Sequence, residues 1–218
     1  MKSSCELLHE LVRQLPRYNT SFDPARLPSN GVYFVFEKGE TSHDGERIVR
    51  VGTHTGENNL RKRVQEHFLK ENKNRSIFRK HLGKCILHRD DLPEKKRTQW
   101  DWDLTSRSQR EAHAGEIDFE WEKTIERKVT AYIRDNICSA VISVDSKQER
   151  LAYERALIGT LCRCEACKLS SGWLGRSHPN RKISETGVWN ILCQNEASIS
   201  QSEVEKLFSK RGINLNHF

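Results

Sequence analysis

One carboxylate lies on an otherwise apolar face of the helix that the sequence predicts for about residues 148–163. The other positions of that face carry apolar side chains at helical spacing: Leu151, Leu157, Ile158 and Leu161. The remaining position is Glu154. Burying a carboxylate is costly unless a proton, a cationic partner or a metal ion neutralises it. The pattern therefore leaves two interpretations open, a metal ligand or an edge residue that reaches solvent or pairs with an arginine.

Arg63 and His67 lie four residues apart on a second predicted helix, over about residues 60–70. Such a pair is ordinary on a solvated surface. If the preceding strands and the Glu154 helix pack against this helix, however, Tyr33 joins them and four functional groups converge. A cation on the carboxylate and a guanidinium would stabilise charge on a phosphate, while the phenol or the imidazole accepts a proton from water. That set suits phosphodiester hydrolysis.

The elements that must position these residues follow from periodicity and from turn residues. Besides the two helices above, five short segments have a helical or a strand pattern. They are helices at 5–15 and 122–134 and strands at 32–36, 47–52 and 138–144. The first two strands read as an antiparallel hairpin. The predicted fold class is α/β (α+β), a small three-stranded antiparallel sheet flanked by helices, with a last helix at 201–211.

The predicted domain organisation is one nuclease-like domain with additions. Residues 1–29 form an N-terminal helix and linker, residues 30–194 the domain, and residues 195–218 a C-terminal helical extension. A charged insertion at about 89–120 interrupts the domain. It mixes basic residues with Trp100 and Trp102, which suits DNA contact, but also many acidic residues, which suit a solvated surface loop. Both interpretations stay open.

Composition narrows the partners and the compartment. The 218 residues include 37 Lys and Arg against 30 Asp and Glu, a net charge of +7 that fits a polyanion such as DNA but also a merely basic protein. No apolar run approaches the roughly 20 residues that span a bilayer, so no membrane partner is expected. The seven cysteines are an odd number without disulfide-like spacing, and we expect a reducing cytoplasm.

Three of the cysteines are clustered at the end of the Glu154 helix. Cys162, Cys164 and Cys167, with Cys193 downstream, could form a tetrahedral zinc site. Their spacing departs from that of paired CxxC knuckles, and helical geometry would place Cys162 and Cys164 on different sides of the helix. The spacing therefore favours free cysteines over structural zinc at this place.

Several segments together resemble the GIY-YIG endonuclease family, in its stand-alone bacterial and restriction-enzyme-like branch. Residues 30–33 (Asn-Gly-Val-Tyr) are similar to the first half of the signature, residues 50–52 (Arg-Val-Gly) to the second half, and residues 59–67 to the arginine-bearing helix that follows. The third strand and the Glu154 helix complete the family's order of elements. The similarity covers roughly residues 30–70 and 136–175, and the segments at 171–175 and 187–190 resemble the tail of stand-alone members.

The resemblance implies a metal-dependent DNA endonuclease, with a restriction or genome-defence role as one form of it. Tyr33 would then be the general base or the anchor of the attacking water, assisted by His67. Arg63 would hold the phosphate, and Glu154 would be the only protein ligand of Mg²⁺ or Mn²⁺. We expect DNA contacts from basic residues nearby: Arg61, Lys62 and Arg176. A homodimer on DNA fits the same class of enzyme.

Departures from the family pattern define the accessory candidates and the alternative function. Arg50 stands where the second half of the signature usually has tyrosine. Thr53 follows the signature glycine, where a basic residue is common, and His54 one place later is a candidate substitute or a bystander in the loop. The family's late asparagine has two candidates, Asn180 and Asn190. An altered site of this kind also suits a catalytically weak nucleic-acid-binding module on the same scaffold.

Overall fold

The computed structural model describes residues 2–209. Its helices are α1 (Ser4–Arg13), α2 (Leu60–Phe68), α3 (Ile77–Arg89), α4 (Glu94–Asp101), α5 (Arg107–Ala112), α6 (Phe119–Asn136), α7 (Lys147–Arg163), α8 (Arg181–Ser184) and α9 (Gln201–Ser209). Its strands are β1 (Arg17–Tyr18), β2 (Gly31–Ser42), β3 (Gly45–Gly52) and β4 (Ile137–Ser143). The last two residues of the helix predicted at 201–211 lie outside the described residues. The described helices include none with the length and apolar character needed to cross a membrane.

The antiparallel sheet confirms the predicted fold class but has four strands in the order β1-β4-β2-β3. The added strand, β1, is only two residues long and pairs Arg17 with Ala140. A strand that short shows no alternation of apolar and polar residues, which explains why the sequence predicted three strands. Strand β3 lies at the edge of the sheet, so one row of its backbone groups needs other partners.

The sheet separates two apolar clusters. Side chains of β2 alternate between them because successive residues of a strand point to opposite faces. Val32 and Phe34 pack in one cluster with helices α1, α7 and α9, whereas Tyr33 and Val35 pack in the other with α2, α3 and α6. The Tyr33 layer and the α7 layer can therefore meet only around an edge of the sheet. The division of the chain at residues 29 and 194 stays a prediction.

The charged insertion folds into α4 and α5 and the loops beside them. Trp100 is fully buried in the second apolar cluster, and its indole N–H donates to Lys80 O over 2.9 Å. Trp100 therefore belongs to neither of the two interpretations left open for the insertion, DNA contact or a surface loop, because its ring fills the core. Trp102 stacks on His113, with ring centroids 4.0 Å apart. Lys96 pairs with Asp118 at 2.8 Å, so part of the insertion's basic charge is matched internally.

Candidate active site

Strand β2 and helix α2 bring Tyr33 and His67 into hydrogen-bonding contact. The Tyr33 hydroxyl lies 2.9 Å from His67 Nε2, and both side chains are almost fully buried. His67 Nδ1 lies 2.6 Å from the hydroxyl of Ser76. Ser76 caps helix α3 by accepting a hydrogen bond from Arg79 N–H. The phenol of Tyr33, the imidazole of His67 and the hydroxyl of Ser76 thus form one connected row.

His67 is neutral at physiological pH. Burial lowers its pKa well below the ordinary value, and the nearby charges of Arg63, Arg50 and Arg79 lower it further. A neutral imidazole has one N–H donor and one acceptor nitrogen. Because both nitrogens already face partners, the ring is fixed in orientation.

The end of β3 connects the Tyr33 layer to helix α7. Gly52 lies opposite Tyr33 in the sheet, and a Cβ at this position would lie 2.1 Å from the Tyr33 hydroxyl oxygen. Only glycine leaves room for the phenol here. The next residue, Thr53, donates its backbone N–H to Glu154 Oε1 over 3.1 Å. Tyr33 and Glu154 are therefore joined through two consecutive residues.

Glu154 has one carboxylate oxygen available for a cation. The side chain is half-buried, and burial raises its pKa, against the lowering effects of Arg50, the Thr53 N–H and Arg63. Within residues 2–209, Oε2 has no hydrogen-bonding partner, and it is not sealed from solvent. A single hard oxygen ligand with open space around it fits Mg²⁺, which usually keeps several of its waters.

A cavity of about 350 Å³ opens beside Glu154, and Arg50 and Asn190 line it. The Arg50 guanidinium donates to Trp189 O over 2.9 Å, while its buried Nε has no hydrogen-bonding partner. Asn190 accepts from Val51 N–H at 3.1 Å and donates to Val51 O at 2.8 Å. The Asn190 amide thus satisfies the free edge of β3 next to the cavity, as a neighbouring strand would.

Arg63 lines an adjacent cavity of about 420 Å³ with Lys62 and Thr53. Thr53 also bonds Glu154, so a residue that lines this cavity contacts a residue that lines the other. One Arg63 nitrogen donates to Arg75 O over 3.0 Å, and Glu66 lies 3.6 Å from it. The side chain is partly exposed, so its guanidinium can also reach a bound anion.

The remaining predicted residues support the fold or lie outside both cavities, and of these only His54 lines the Arg63 cavity. His54 is buried with both ring nitrogens on backbone groups, Nδ1 at 2.6 Å from Gly56 O and Nε2 accepting from Gly31 N–H, so it holds its loop. Asn180 is exposed and caps α8. Neither Arg61 nor Arg176 lines either cavity, and both are exposed. Of the two late asparagines, the structure brings only Asn190 to the site.

The sequence did not single out a pair of histidines, one of which lines the cavity beside Glu154. His81 Nδ1 lies 3.0 Å from His178 Nε2, and His178 Nδ1 accepts from Asn180 N–H. Burial first, then neighbouring charge, lowers the pKa of His81 to about 2 and that of His178 to about 4. His81 lines the cavity beside Glu154. No local pattern could have predicted a pair separated by 97 residues.

The predicted cysteine set is different in the structure. Within the described residues, the potential metal-binding atoms that lie close together belong to Cys5, His43, Cys164 and Cys167, without Cys162 or Cys193. Helix α7 ends at Arg163, so Cys162 stays in helical geometry while Cys164 lies on the extended chain beyond it. Zinc ligation by Cys162 together with Cys164 and Cys167 is therefore wrong as a ligand set.

Comparison with known proteins gives one match. A family model described as the GIY-YIG domain matches residues 3–207. No curated protein matches the chain, and no solved structure does either.

Proposed function

The chain belongs to the GIY-YIG family, a family of endonucleases, and from that premise we propose that it is a metal-dependent DNA endonuclease acting beside Glu154. The observation that supports this most directly is the connection from Tyr33 through Gly52 and Thr53 to the Glu154 carboxylate. It links a phenol on one face of the sheet to a half-buried carboxylate on the other face through the end of β3. Groups that act on one phosphate must lie close together, so side chains on unconnected parts of the molecule could not cooperate in hydrolysis.

Glu154 is the proposed ligand of Mg²⁺ or Mn²⁺, through the oxygen that Thr53 leaves free. A cation held there supplies Lewis-acid stabilisation of charge on the scissile phosphate and on the leaving oxygen. Arg63 and Lys62, on the adjacent cavity, are the proposed phosphate-binding residues. Arg61 and Arg176 are exposed, and we propose that they contact the DNA backbone outside the cavities.

Tyr33 is the proposed general base or anchor of the attacking water, and His67 the residue that orients its hydroxyl. Burial depresses the pKa of His67 most, and the charges of Arg63 and Arg50 depress it further. A phosphate bound near these guanidinium groups neutralises part of that effect. The imidazole therefore becomes a better proton acceptor for the Tyr33 phenol when substrate is present, which couples binding to proton transfer.

Further parts of the proposal concern biological context. A net charge of +7 supports DNA as the partner. All seven cysteines are free thiols, which supports a reducing, cytoplasmic location. A restriction or genome-defence role and a homodimer on DNA remain parts of this proposal that a cleavage map would test.

The competing candidate is a nucleic-acid-binding module without catalysis, which Arg50 in place of the second signature tyrosine favours. Incubation with a randomised DNA library and Mg²⁺, followed by sequencing of the ends, separates the two. We expect cleavage that EDTA prevents. A salt-sensitive gel shift with intact DNA would instead support the binding module.

Glu154→Gln tests the assignment of the metal ligand. Glutamine keeps an acceptor for Thr53 N–H, so the fold should persist while cleavage falls at least about 100-fold. Glu149→Gln, on the same helix and near its start, is the matched control and should keep wild-type cleavage. Equal activity of Glu154→Gln and wild type would contradict the proposed site.

A further inference from the structure

Three thiols and one imidazole meet at the turn between β2 and β3, and none of them lines either cavity of the candidate active site. Cys5 lies in the first turn of α1, His43 in the hairpin turn, and Cys164 and Cys167 directly after α7. The four sulfur and nitrogen atoms lie within 4.8 Å of one another. Three elements far apart in sequence thus present soft ligands to one point.

Three of the six distances between these atoms match the edges of a tetrahedron around a single ion, and the other three are within 4.8 Å. Cys5 Sγ lies 3.6 Å from Cys167 Sγ, and His43 Nε2 lies 3.3 Å from Cys164 Sγ and 3.8 Å from Cys167 Sγ. Zinc bonds of about 2.3 Å to sulfur and 2.0 Å to nitrogen give tetrahedral edges of about 3.5–3.8 Å. A disulfide would require about 2.0 Å between the sulfurs.

We propose that Cys5, His43, Cys164 and Cys167 bind one structural zinc ion in a Cys₃His tetrahedron. Four protein ligands leave no open coordination position, which is typical of structural rather than catalytic zinc. Thiolate and imidazole ligands favour zinc over Mg²⁺, which takes oxygen. An iron–sulfur cluster would hold its cysteine sulfurs farther apart, since several cluster atoms lie between them.

The chain around the two late cysteines already has the form of a metal-binding turn. Cys167 N–H donates to Cys164 O over 3.0 Å, and the backbone N–H of Ala166 bonds to the Cys164 sulfur. Ser42 Oγ donates to Ala166 O at 3.1 Å and lies 3.3 Å from Cys167 Sγ. These contacts orient both sulfurs without a metal, which lowers the cost of ordering the site on binding.

The imidazole ligand is oriented independently. His43 has a positive φ of 49° in the hairpin turn, and the Arg13 guanidinium donates to the backbone oxygens of Ser42 and His43. His9 also lies close, but its Nδ1 is 2.8 Å from Cys5 O and its Nε2 accepts from Ile48 N–H. Both His9 nitrogens are therefore engaged by backbone groups, although Nε2 also lies 3.9 Å from Cys167 Sγ, whereas among residues 2–209 the His43 Nε2 contacts sulfur atoms.

The electrostatics of the cluster also favour a cation. Cys5 and Cys167 are almost completely buried, and three thiolates there would repel one another without a positive charge among them. A cation bound at this point would offset that repulsion.

Zinc at this place would connect α1, the β2–β3 hairpin and the end of α7. Cys5 and Cys167 are separated by 162 residues, so the metal closes a long loop and contributes to folding. Helix α7 also carries Glu154, ten residues before Cys164. The zinc site would fix the far end of the helix on which the proposed catalytic carboxylate lies.

Metal analysis of the purified full-length chain tests the proposal. We expect about one zinc per chain that survives dialysis against EDTA long enough to remove Mg²⁺. Cys164→Ser and Cys167→Ser should lose this zinc and lower the Tm. Cys162→Ser is the matched control, since its sulfur lies two residues away but outside the cluster, and it should retain zinc and Tm.

Cobalt replacement provides a readout that does not depend on stable variants. Wild-type protein refolded with Co²⁺ should show the visible bands of tetrahedral cobalt and thiolate-to-cobalt charge transfer, and Cys162→Ser should show them unchanged. Wild-type protein that is purified with reduced thiols and contains no zinc would overturn the proposal. Protein refolded without zinc would also overturn it if its Tm equalled that of the wild-type protein as purified. Equal zinc loss in Cys162→Ser or a Cys5–Cys167 disulfide found by mass spectrometry would overturn it as well.

Discussion

The Tyr33 hydroxyl lies 2.9 Å from Nε2 of His67, across the contact between β2 and α2. The other nitrogen of the same ring faces Ser76 Oγ at 2.6 Å. Both rings are almost completely enclosed, and the hydrogen bond to the Tyr33 hydroxyl is the contact that His67 makes on the β2 side. His67 is therefore a positioning residue for Tyr33 in the proposed reaction.

Substitutions of Tyr33 and His67 should be strongly non-additive. We expect Tyr33→Phe to lower kcat by about 10²–10⁴-fold, the usual contribution of a general base. Because His67 acts through the phenol, His67→Gln should lower kcat in the wild type but add little to Tyr33→Phe. Single-turnover cleavage by the wild type, the two single variants and the double variant measures the double-mutant cycle. Tyr18→Phe, a half-buried tyrosine of β1, is the control, and fully additive losses would contradict the coupling.

Arg50 should set the acid limit of cleavage through Glu154. Its charge lowers the Glu154 pKa, although burial keeps that pKa above the ordinary value. Arg50→Gln removes the charge and keeps a donor for Trp189 O, so the acid limb of kcat/KM should move to higher pH. Arg155→Gln, a weaker influence on the same carboxylate, should move it less. A shift to lower pH in Arg50→Gln would contradict the assignment.

Asn190 and Asn180 should differ in their effect on stability. Asn190→Ala leaves the buried N–H and C=O of Val51 without partners, and we expect the free energy of unfolding to fall by about 1–3 kcal/mol. Asn180→Ala removes only an exposed cap of a four-residue helix and should cost about 1 kcal/mol or less. Urea unfolding measures both. The reverse order would show that Asn190 does not support the β3 edge.

Acid should destabilise the fold through its buried histidines. His81 and His178 have pKa values of about 2 and about 4, and that of His67 is also low, whereas unfolded histidine binds a proton near pH 6.5. Below about pH 6.5 the unfolded state therefore binds protons at these histidines that the folded state does not bind. The free energy of unfolding should fall as pH drops from about 6.5 to about 4, by up to about 1.4 kcal/mol per pH unit for each of His81 and His178, and His67 acts in the same direction.

His178→Gln isolates one contribution to this pH dependence. The variant should be less stable than wild type at pH 7.5, where the His81 contact is lost without any change of protonation. Its stability should nevertheless fall less steeply below pH 6.5, because one proton-binding group is gone from the unfolded state. Urea titrations at several pH values give the two slopes. An unchanged slope would show that His178 binds its proton in the folded state as readily as in the unfolded state.

Local patterns predicted much of the fold but failed where an element is short or where partners are distant. The strand segments and the Glu154 helix follow from periodicity, since a buried face repeats every two or 3.6 residues. Strand β1 was missed because two residues carry no period. Trp100 was left open between DNA contact and a surface loop, although it is buried against Gly83, because burial depends on how α4 packs on α3.

The sequence by itself determined the signature segments, the placement of Glu154 on an apolar helix face and the excess of basic charge, since each is a property of neighbouring residues or of composition. Only the tertiary structure decided that Thr53 bonds Glu154, that Asn190 rather than Asn180 reaches the cavity, and that Cys5 and His43 join Cys164 and Cys167. These contacts join residues about 100 or more positions apart. Such proximity depends on how whole layers pack around the edge of the sheet, which no local period encodes.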